Sequence, residues 1–250
     1  MTVSTPEATS RPRRRGIRGL PGIPCVLPLA ALTAWVVSAV AAQAADCRSQ
    51  PAAGVDWQDC NKSNIVIRGA NLSGANMTGT DLTLTDLRET TLTGAKLQKA
   101  TLVRSSLAGA NASGADFSRV EAYRTSFSGI VAAGTNFSNA ELQRADFTRA
   151  KLIDADFEKA ELGRADFAGA TIGGARFAYA NLSRAHFTGA AVNAPIDLTG
   201  AFMFLARIEG ADLSAATGLT QAQIDLACGD AETRLPSGLA ASQSWPCTFD

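Results

Sequence analysis

The sequence predicts a solenoid, a rod of short stacked units, and three observations predict it. From Leu72 to Val192 an apolar residue recurs at every fifth position. Of these 25 centres eleven are Leu and eight are Phe, the others being Met77, Ile172, Val192, Ala112, Ala122 and Ala132. The residue two before each centre is Ala in 17 of the 25 units and Thr or Ser in six more, so each unit offers one large and one small inward position. A period of five fits neither the 3.6 of an amphipathic helix nor the 2 of a strand. It nevertheless persists from about Asn71 to Leu213, over which each unit can bury its centre only against its neighbours.

The A-(D/N)-(L/F)-x-x pattern, as in Ala165-Asp166-Phe167-Ala168-Gly169, resembles the pentapeptide-repeat family. The resemblance covers well over half of the chain. It implies an all-β fold, a right-handed quadrilateral β-helix in which four pentapeptides make one square coil of twenty residues, with centre and small residue pointing inward. Sorted by twenties, the centres fall on four sides. One reads Ile67, Leu87, Leu107, Phe127, Phe147, Phe167, Phe187, and the opposite one Met77, Leu97, Phe117, Phe137, Phe157, Phe177. All eight Phe of the repeat therefore stack in two ladders, with aliphatic residues on the sides between, where rings about 4.8 Å apart gain offset aromatic contact and area burial.

Residues 1–44 read as a signal peptide. Arg11, Arg13, Arg14, Arg15 and Arg18 precede an apolar run from about Cys25 to Ala42, ending in Ala42-Gln43-Ala44. A basic region, a short apolar run and an A-x-A site are the composition of a secretory leader, with cleavage expected after Ala44 and a periplasmic or secreted mature chain. The alternative is an uncleaved anchor, since Pro24 to Ala45 is just long enough to span a bilayer. With the leader removed, 18 basic and 22 acidic residues remain; that mild acidity lacks the basic footprint of a nucleic-acid binder, and a cleaved chain keeps no stable membrane insertion.

Residues 45–64, with Pro51, Trp57 and two cysteines, read as an N-terminal cap closing the bare end of a solenoid that runs over 65–213, Ile65 and Ile67 beginning its apolar register. Four cysteines follow the leader, and an even number in an exported chain reads as disulfides. About seven coils would hold the ends of the rod roughly 35 Å apart, whereas a disulfide needs Cα atoms within about 7 Å. The expected pairs are therefore Cys47 with Cys60 and Cys228 with Cys247.

Two irregularities interrupt the repeat. Between Arg104 and Thr135 three centres shrink to Ala112, Ala122 and Ala132 while the small position grows to Val120 and Ile130, which moves core volume by two residues. The register then slips by one at Asn193-Ala194-Pro195, where a small bulge is expected because Pro cannot donate to a ladder. Over 214–250 the pattern ends in a C-terminal cap. Thr220-Gln221-Ala222-Gln223 has the form of a capping box before a short helix to about Cys228, with Gly229 where a terminating glycine belongs. That tail, through Trp245-Pro246-Cys247, resembles those of exported bacterial members of the family.

Function must lie at the outward positions. Arg104, Arg124, Arg144, Arg164 and Arg184 fall in one column, two after the centre, with Glu121, Glu141 and Glu161 each three before an Arg, and Asp146 and Asp166 two after one. Two readings follow: an interleaved charge ladder in which each exposed pair contributes under about 1 kcal/mol, or a row of Arg forks docking a polyanion. Enzyme chemistry finds no foothold. His186 is the only histidine and has no companion base, no acid/base pair of carboxylates stands out from the repeat, and no cofactor or metal site is expected. The glycines recurring by twenties, such as Gly74, Gly94, Gly114 and Gly134, read as tight-turn positions. The leading expectation is a non-catalytic exported scaffold binding another macromolecule, with an envelope protein, a polyanion and a second copy of the chain left open as partners. The resemblance adds an alternative, because some members of the family mimic DNA and regulate DNA gyrase; the leader and the mild acidity weigh against it, and no nucleic-acid partner is expected. A third, weaker expectation is a hydrolase acting on envelope polymer through surface carboxylates.

Overall fold

The computed structural model describes residues 45–247; the leader or anchor expected over 1–44 lies outside the described residues. From Asp56 to Thr171 the chain makes a parallel bridge at every fifth residue to the residue twenty further on: Asp56 with Asn76, Asn61 with Asp81, Val66 with Asp86, Asn71 with Thr91. Each bridge is followed by a two-residue turn, so one coil has four short sides and four corners. This is a β-helix solenoid in which neighbouring coils supply one another's hydrogen bonds, as in Leu72 N to Thr91 O at 2.7 Å.

The sequence makes this coil for local reasons. At the corner, the residue two after each centre takes the left-handed backbone conformation, with Gly at many of these sites (Gly74 at φ 64°, Gly114 at φ 65°), because glycine meets no Cβ penalty there. Before the corner, the Asp or Asn preceding the centre caps the turn. Asp116, Asp146, Asp156 and Asp166 each accept the backbone N–H two residues on at 2.9 Å. Asn71 accepts both the N–H and the hydroxyl of Ser73. These Asx turns explain why the repeat favours a short acceptor at that position.

Inside, the two Phe ladders are continuous. Phe127, Phe147, Phe167 and Phe187 stack at 4.8, 5.1 and 4.9 Å, and Phe117, Phe137, Phe157 and Phe177 at 5.1, 5.0 and 5.1 Å. The ladders also meet each other across the core edge to face, as Phe147 and Phe157 do at 5.6 Å and 85°. Where Ala112, Ala122 and Ala132 narrow the centres, Val120 and Ile130 are fully buried beside them, keeping the fill.

The coil register begins earlier than the boundary at 65 taken from Ile65 and Ile67. Trp57 occupies a centre position, is fully buried and donates its Nε1–H to Ser49 Oγ at 2.8 Å. Asp56 and Asn61 already bridge to the next coil. Trp57 escapes the pattern of Leu and Phe because it is an end residue, with Lys62 Nζ lying 4.1 Å from its ring. The cap proper is the bridge-free segment over 45–55, fastened to the first coil by the Cys47–Cys60 disulfide, whose Cα atoms are 5.4 Å apart.

After Ala191 the bridges step from twenty to twenty-one residues, as in Arg176 with Asp197, so the extra residue at Asn193-Ala194-Pro195 loops out of the ladder. The slip leaves a void of about 10 Å³ bounded by Ile172, Phe187, Val192, Ile196 and Met203 among others, about the lower limit for a water and without polar partners for one. At the C-terminal end α1, Gln221–Leu226, lies in the final coil. Gln223 fastens it there: Oε1 accepts from Thr220 N at 2.9 Å, and Nε2 donates to Leu198 O and Ala201 O at 2.8 and 2.9 Å. The helix stops at Leu226, before Cys228, and Gly229 is not its left-handed terminator. Gly229 is needed because a Cβ there would come within 2.5 Å of the Trp245 ring, which closes the cap and donates to Ala227 O at 2.6 Å. The Cys228–Cys247 disulfide, with Cα atoms 5.4 Å apart, fastens the same segment.

One ion pair on the outer surface carries a pH signature. Arg88 donates to Asp86 Oδ1 through Nε at 2.8 Å, and this hydrogen bond is the main reason the Asp86 carboxyl is held down at about 2. A folded-state value below the unfolded one adds stability that is present above pH about 4 and is lost as the pH falls toward 2. Asp86→Asn should therefore flatten part of the decline in melting temperature over that interval. An unchanged acid limb in the variant would show that Asp86 has no part in it.

Candidate functional site

Among the four sides of the coil, the one carrying Glu121, Glu141 and Glu161 departs from both local rules over three successive coils. Its position before the centre holds Glu, which is too long to close an Asx turn, and its corner holds Arg124, Arg144 and Arg164 at φ 56°, 59° and 61° instead of Gly. Arg104 and Arg184 extend the column in the same conformation, at φ 55° and 56°. A non-glycine residue in the left-handed region costs on the order of 1 kcal/mol, a cost that the neighbouring corner column of Lys99, Arg119, Asn139, Lys159 and Tyr179 carries as well.

The structure sets these arginines in one exposed row and does not pair them. Among the described residues no ion pair or side-chain hydrogen bond engages Arg104, Arg124, Arg144, Arg164 or Arg184, so the interleaved ladder expected from the spacing of Glu121, Glu141, Glu161, Asp146 and Asp166 is not formed. For three of those carboxylates the reason lies in the partners they have instead, while Glu121 and Glu141 make no ion pair or side-chain hydrogen bond among the described residues. Glu161 accepts from Asn181 Nδ2 at 2.8 Å, and Asp146 and Asp166 turn back to cap their own turns. The neighbouring side pairs its later charges, while Lys99 and Arg119 in its column make no ion pair among the described residues. Lys159 donates to Glu158 at 2.9 Å and Arg176 reaches Asp156 and Glu158 at 3.1 and 2.8 Å, so the hydrogen bond from Lys159, then its charge, holds the Glu158 carboxyl below its ordinary range.

Along the unpaired column run two shallow depressions of about 550 and 520 Å³ that share Gln143 and Arg144. Glu141, Glu161 and Asn181 form one edge, Arg124, Arg144, Arg164 and Arg184 the other, and Gln143, Gly163 and Ser183 lie between them. Gly163 deepens the middle because it brings no side chain. Exposed aromatic rings stand at the ends: Tyr123 (42% exposed) at one, Phe202 and Phe204 (51% and 42%) at the other. The last two lie parallel, 6.3 Å apart. Asn181 is fixed by Ser183, whose hydroxyl donates to its Oδ1 at 2.6 Å, so the amide presents its N–H toward Glu161.

The Arg column was legible by counting in twenties, but the aromatic ends were not singled out. Their signal was present: after the one-residue slip Met203 is the centre, which places Phe202 and Phe204 outward. The eight ladder Phe are interior packing, with Phe187 at the end of the stack showing slight exposure. His186 stands on a different side and bridges through its backbone to Asp166 and Arg207.

Comparison with known proteins gives the same picture of the repeat. A family model described as a pentapeptide repeat region matches residues 100–177, and one described as pentapeptide repeats (8 copies) matches 53–83 and 165–192. No curated protein sequence matches significantly. Among solved structures, HetL, a pentapeptide repeat protein involved in heterocyst differentiation regulation from the cyanobacterium Nostoc sp. strain PCC 7120, is 22% identical, with 75% of this chain and 86% of that one covered and a TM-score of 0.37. A trypsin-treated variant of QnrB1, a plasmid-mediated fluoroquinolone resistance protein, is 18% identical over 76% of this chain and 87% of its own, with a TM-score of 0.45. A pentapeptide repeat protein of the Arabidopsis thaliana thylakoid lumen is 28% identical over 46% and 67%, with a TM-score of 0.31.

Proposed function

The chain belongs to the pentapeptide-repeat family, and from that premise we propose that it is a non-catalytic scaffold, exported from the cytoplasm, that binds another macromolecule through its Arg-lined side. The family reading also gives the coil its right hand. The observation that carries the proposal is the row of arginines in the left-handed conformation, without carboxylate partners among the described residues, four of which, Arg124, Arg144, Arg164 and Arg184, line a groove with aromatic ends. Where Lys159 and Arg176 on the neighbouring side meet carboxylates, this row meets none among the described residues, and guanidinium groups at a regular spacing of about 4.8 Å offer their forks to an external anion. Export is supported by the leader composition and by two disulfides, bonds that persist in oxidising compartments. The mixed Glu and Arg edges of the groove do not make the continuous negative surface that a DNA mimic needs.

Cross-linking in intact cells, followed by fractionation, tests this. The wild-type chain should yield a discrete adduct outside the cytoplasm, and Arg144→Glu with Arg164→Glu should abolish it while leaving folding stability within about 1 kcal/mol of wild type. An adduct of undiminished yield in the double variant would remove the Arg side from the binding role.

A further inference from the structure

We infer that the groove binds an acidic polysaccharide, a glycan whose sugars carry free hydroxyls as well as carboxylates; this deepens the reading above and rests on it. From the Tyr123 ring to the Phe204 ring the groove crosses four coil steps, about 19 Å, long enough for an extended oligomer and too shallow to enclose a small molecule. Its two edges ask for opposite things. Arg144 and Arg164 offer unpaired donors that fit carboxylates bidentately. Across the floor, Glu141 and the second oxygen of Glu161, whose first accepts from Asn181, are acceptors open to further donors. A uniformly acidic protein face or a run of phosphates would satisfy the first edge and be repelled by the second. A glycan satisfies both, giving its carboxylates to the arginines and its hydroxyl protons to the glutamates. The floor suits such a chain, since Gly163 and Ser183 leave room for a ring and Gln143 supplies both a donor and an acceptor. The flat rings of Tyr123 and Phe204 present apolar faces to the C–H faces of sugars at either end, a use of exposed aromatics that an ionic contact alone would not require.

The test is calorimetric titration of the purified protein with sodium polygalacturonate, its methyl ester, polyglutamate and duplex DNA. The expected result is binding of polygalacturonate and none of the ester. Arg144→Gly with Arg164→Gly should weaken binding by roughly tenfold or more and reduce its salt dependence. These substitutions suit the corner, because glycine takes the left-handed conformation without strain. Tyr123→Ala with Phe204→Ala should weaken it by about tenfold at unchanged salt dependence, and circular dichroism should show all variants folded. Polyglutamate or DNA binding as tightly as the glycan would overturn the inference, as would an aromatic double variant that binds like wild type. Failure of polygalacturonate to bind would also overturn it. If an Arg-dependent cross-linked partner is nonetheless recovered, the binding side stands and only the ligand class falls; if none is recovered, both fall.

Discussion

Phe147→Ala is expected to lower stability by about 4 kcal/mol, near the middle of the range for deleting a buried Phe. The ring is fully buried and touches four others. It stacks on Phe127 and Phe167 at 4.8 and 5.1 Å, and meets Phe137 and Phe157 edge to face at 5.7 and 5.6 Å. Two features keep the gap from healing. Adjacent small positions are Ala145 and Ala150, so no neighbour can swing in as Val120 and Ile130 do beside Ala122 and Ala132. The coil backbone is also held above and below by ladder hydrogen bonds such as Phe147 N to Asp166 O at 2.7 Å, which resists collapse. Phe187→Ala should cost clearly less, because Phe187 ends its ladder with one stacked and one edge partner and is not fully enclosed. Chemical denaturation of both variants decides the matter. Equal losses would mean that area burial alone, without the ring contacts, sets the cost.

Reduction of the Cys228–Cys247 bond should release the C-terminal cap and lower stability by about 3 kcal/mol, the loop-closure value for a separation of 19 residues. The segment it closes contributes few of its own ladder bonds. Beyond Arg234, which bridges Asp212, it is held by the Trp245 indole on Ala227 O, by the Gln221 amide, which donates to Ala240 O and accepts from Ala240 N, and by partly buried Leu235 and Leu239. Beneath it lie Leu213, Ile208 and Ile224, buried core residues that would meet water if the cap opened. Hydrogen exchange should show the cap exchanging faster in Cys228→Ser, Cys247→Ser while the central coils keep wild-type protection. A solenoid transmits stability mainly between neighbouring units, so the effect should fade toward the N-terminal end. Melting temperature and exchange indistinguishable from the oxidised protein would show the disulfide to be dispensable to the cap.

Several elements could be read without coordinates because the inward pattern repeats. The two Phe ladders follow from counting by twenties, since side chains in the same corner of successive coils stack directly. The slip at Asn193-Ala194-Pro195 follows from a register offset of one, and the Arg column from the same arithmetic. Chain ends were read less well. Trp57 belongs to the coil register although no Leu or Phe precedes it, and Gly229 serves the Trp245 ring instead of ending α1. At an end, contacts come from residues distant in sequence, and no periodicity announces them.

By itself the sequence determined the period, the inward residues and the side on which the arginines lie, because each of these is set by position within a unit of five. Only the tertiary structure decided which charges pair. Asp146 and Asp166 could have faced the arginines by spacing alone, yet they cap their own turns, and Glu161 takes an amide from the next coil. An exposed carboxylate chooses among partners a few ångströms apart, and that choice rests on side-chain reach and backbone N–H groups that adjacent coils bring together. The groove beside Arg144 and its aromatic ends exist for the same reason, as the product of stacking four or five units that are separately almost featureless.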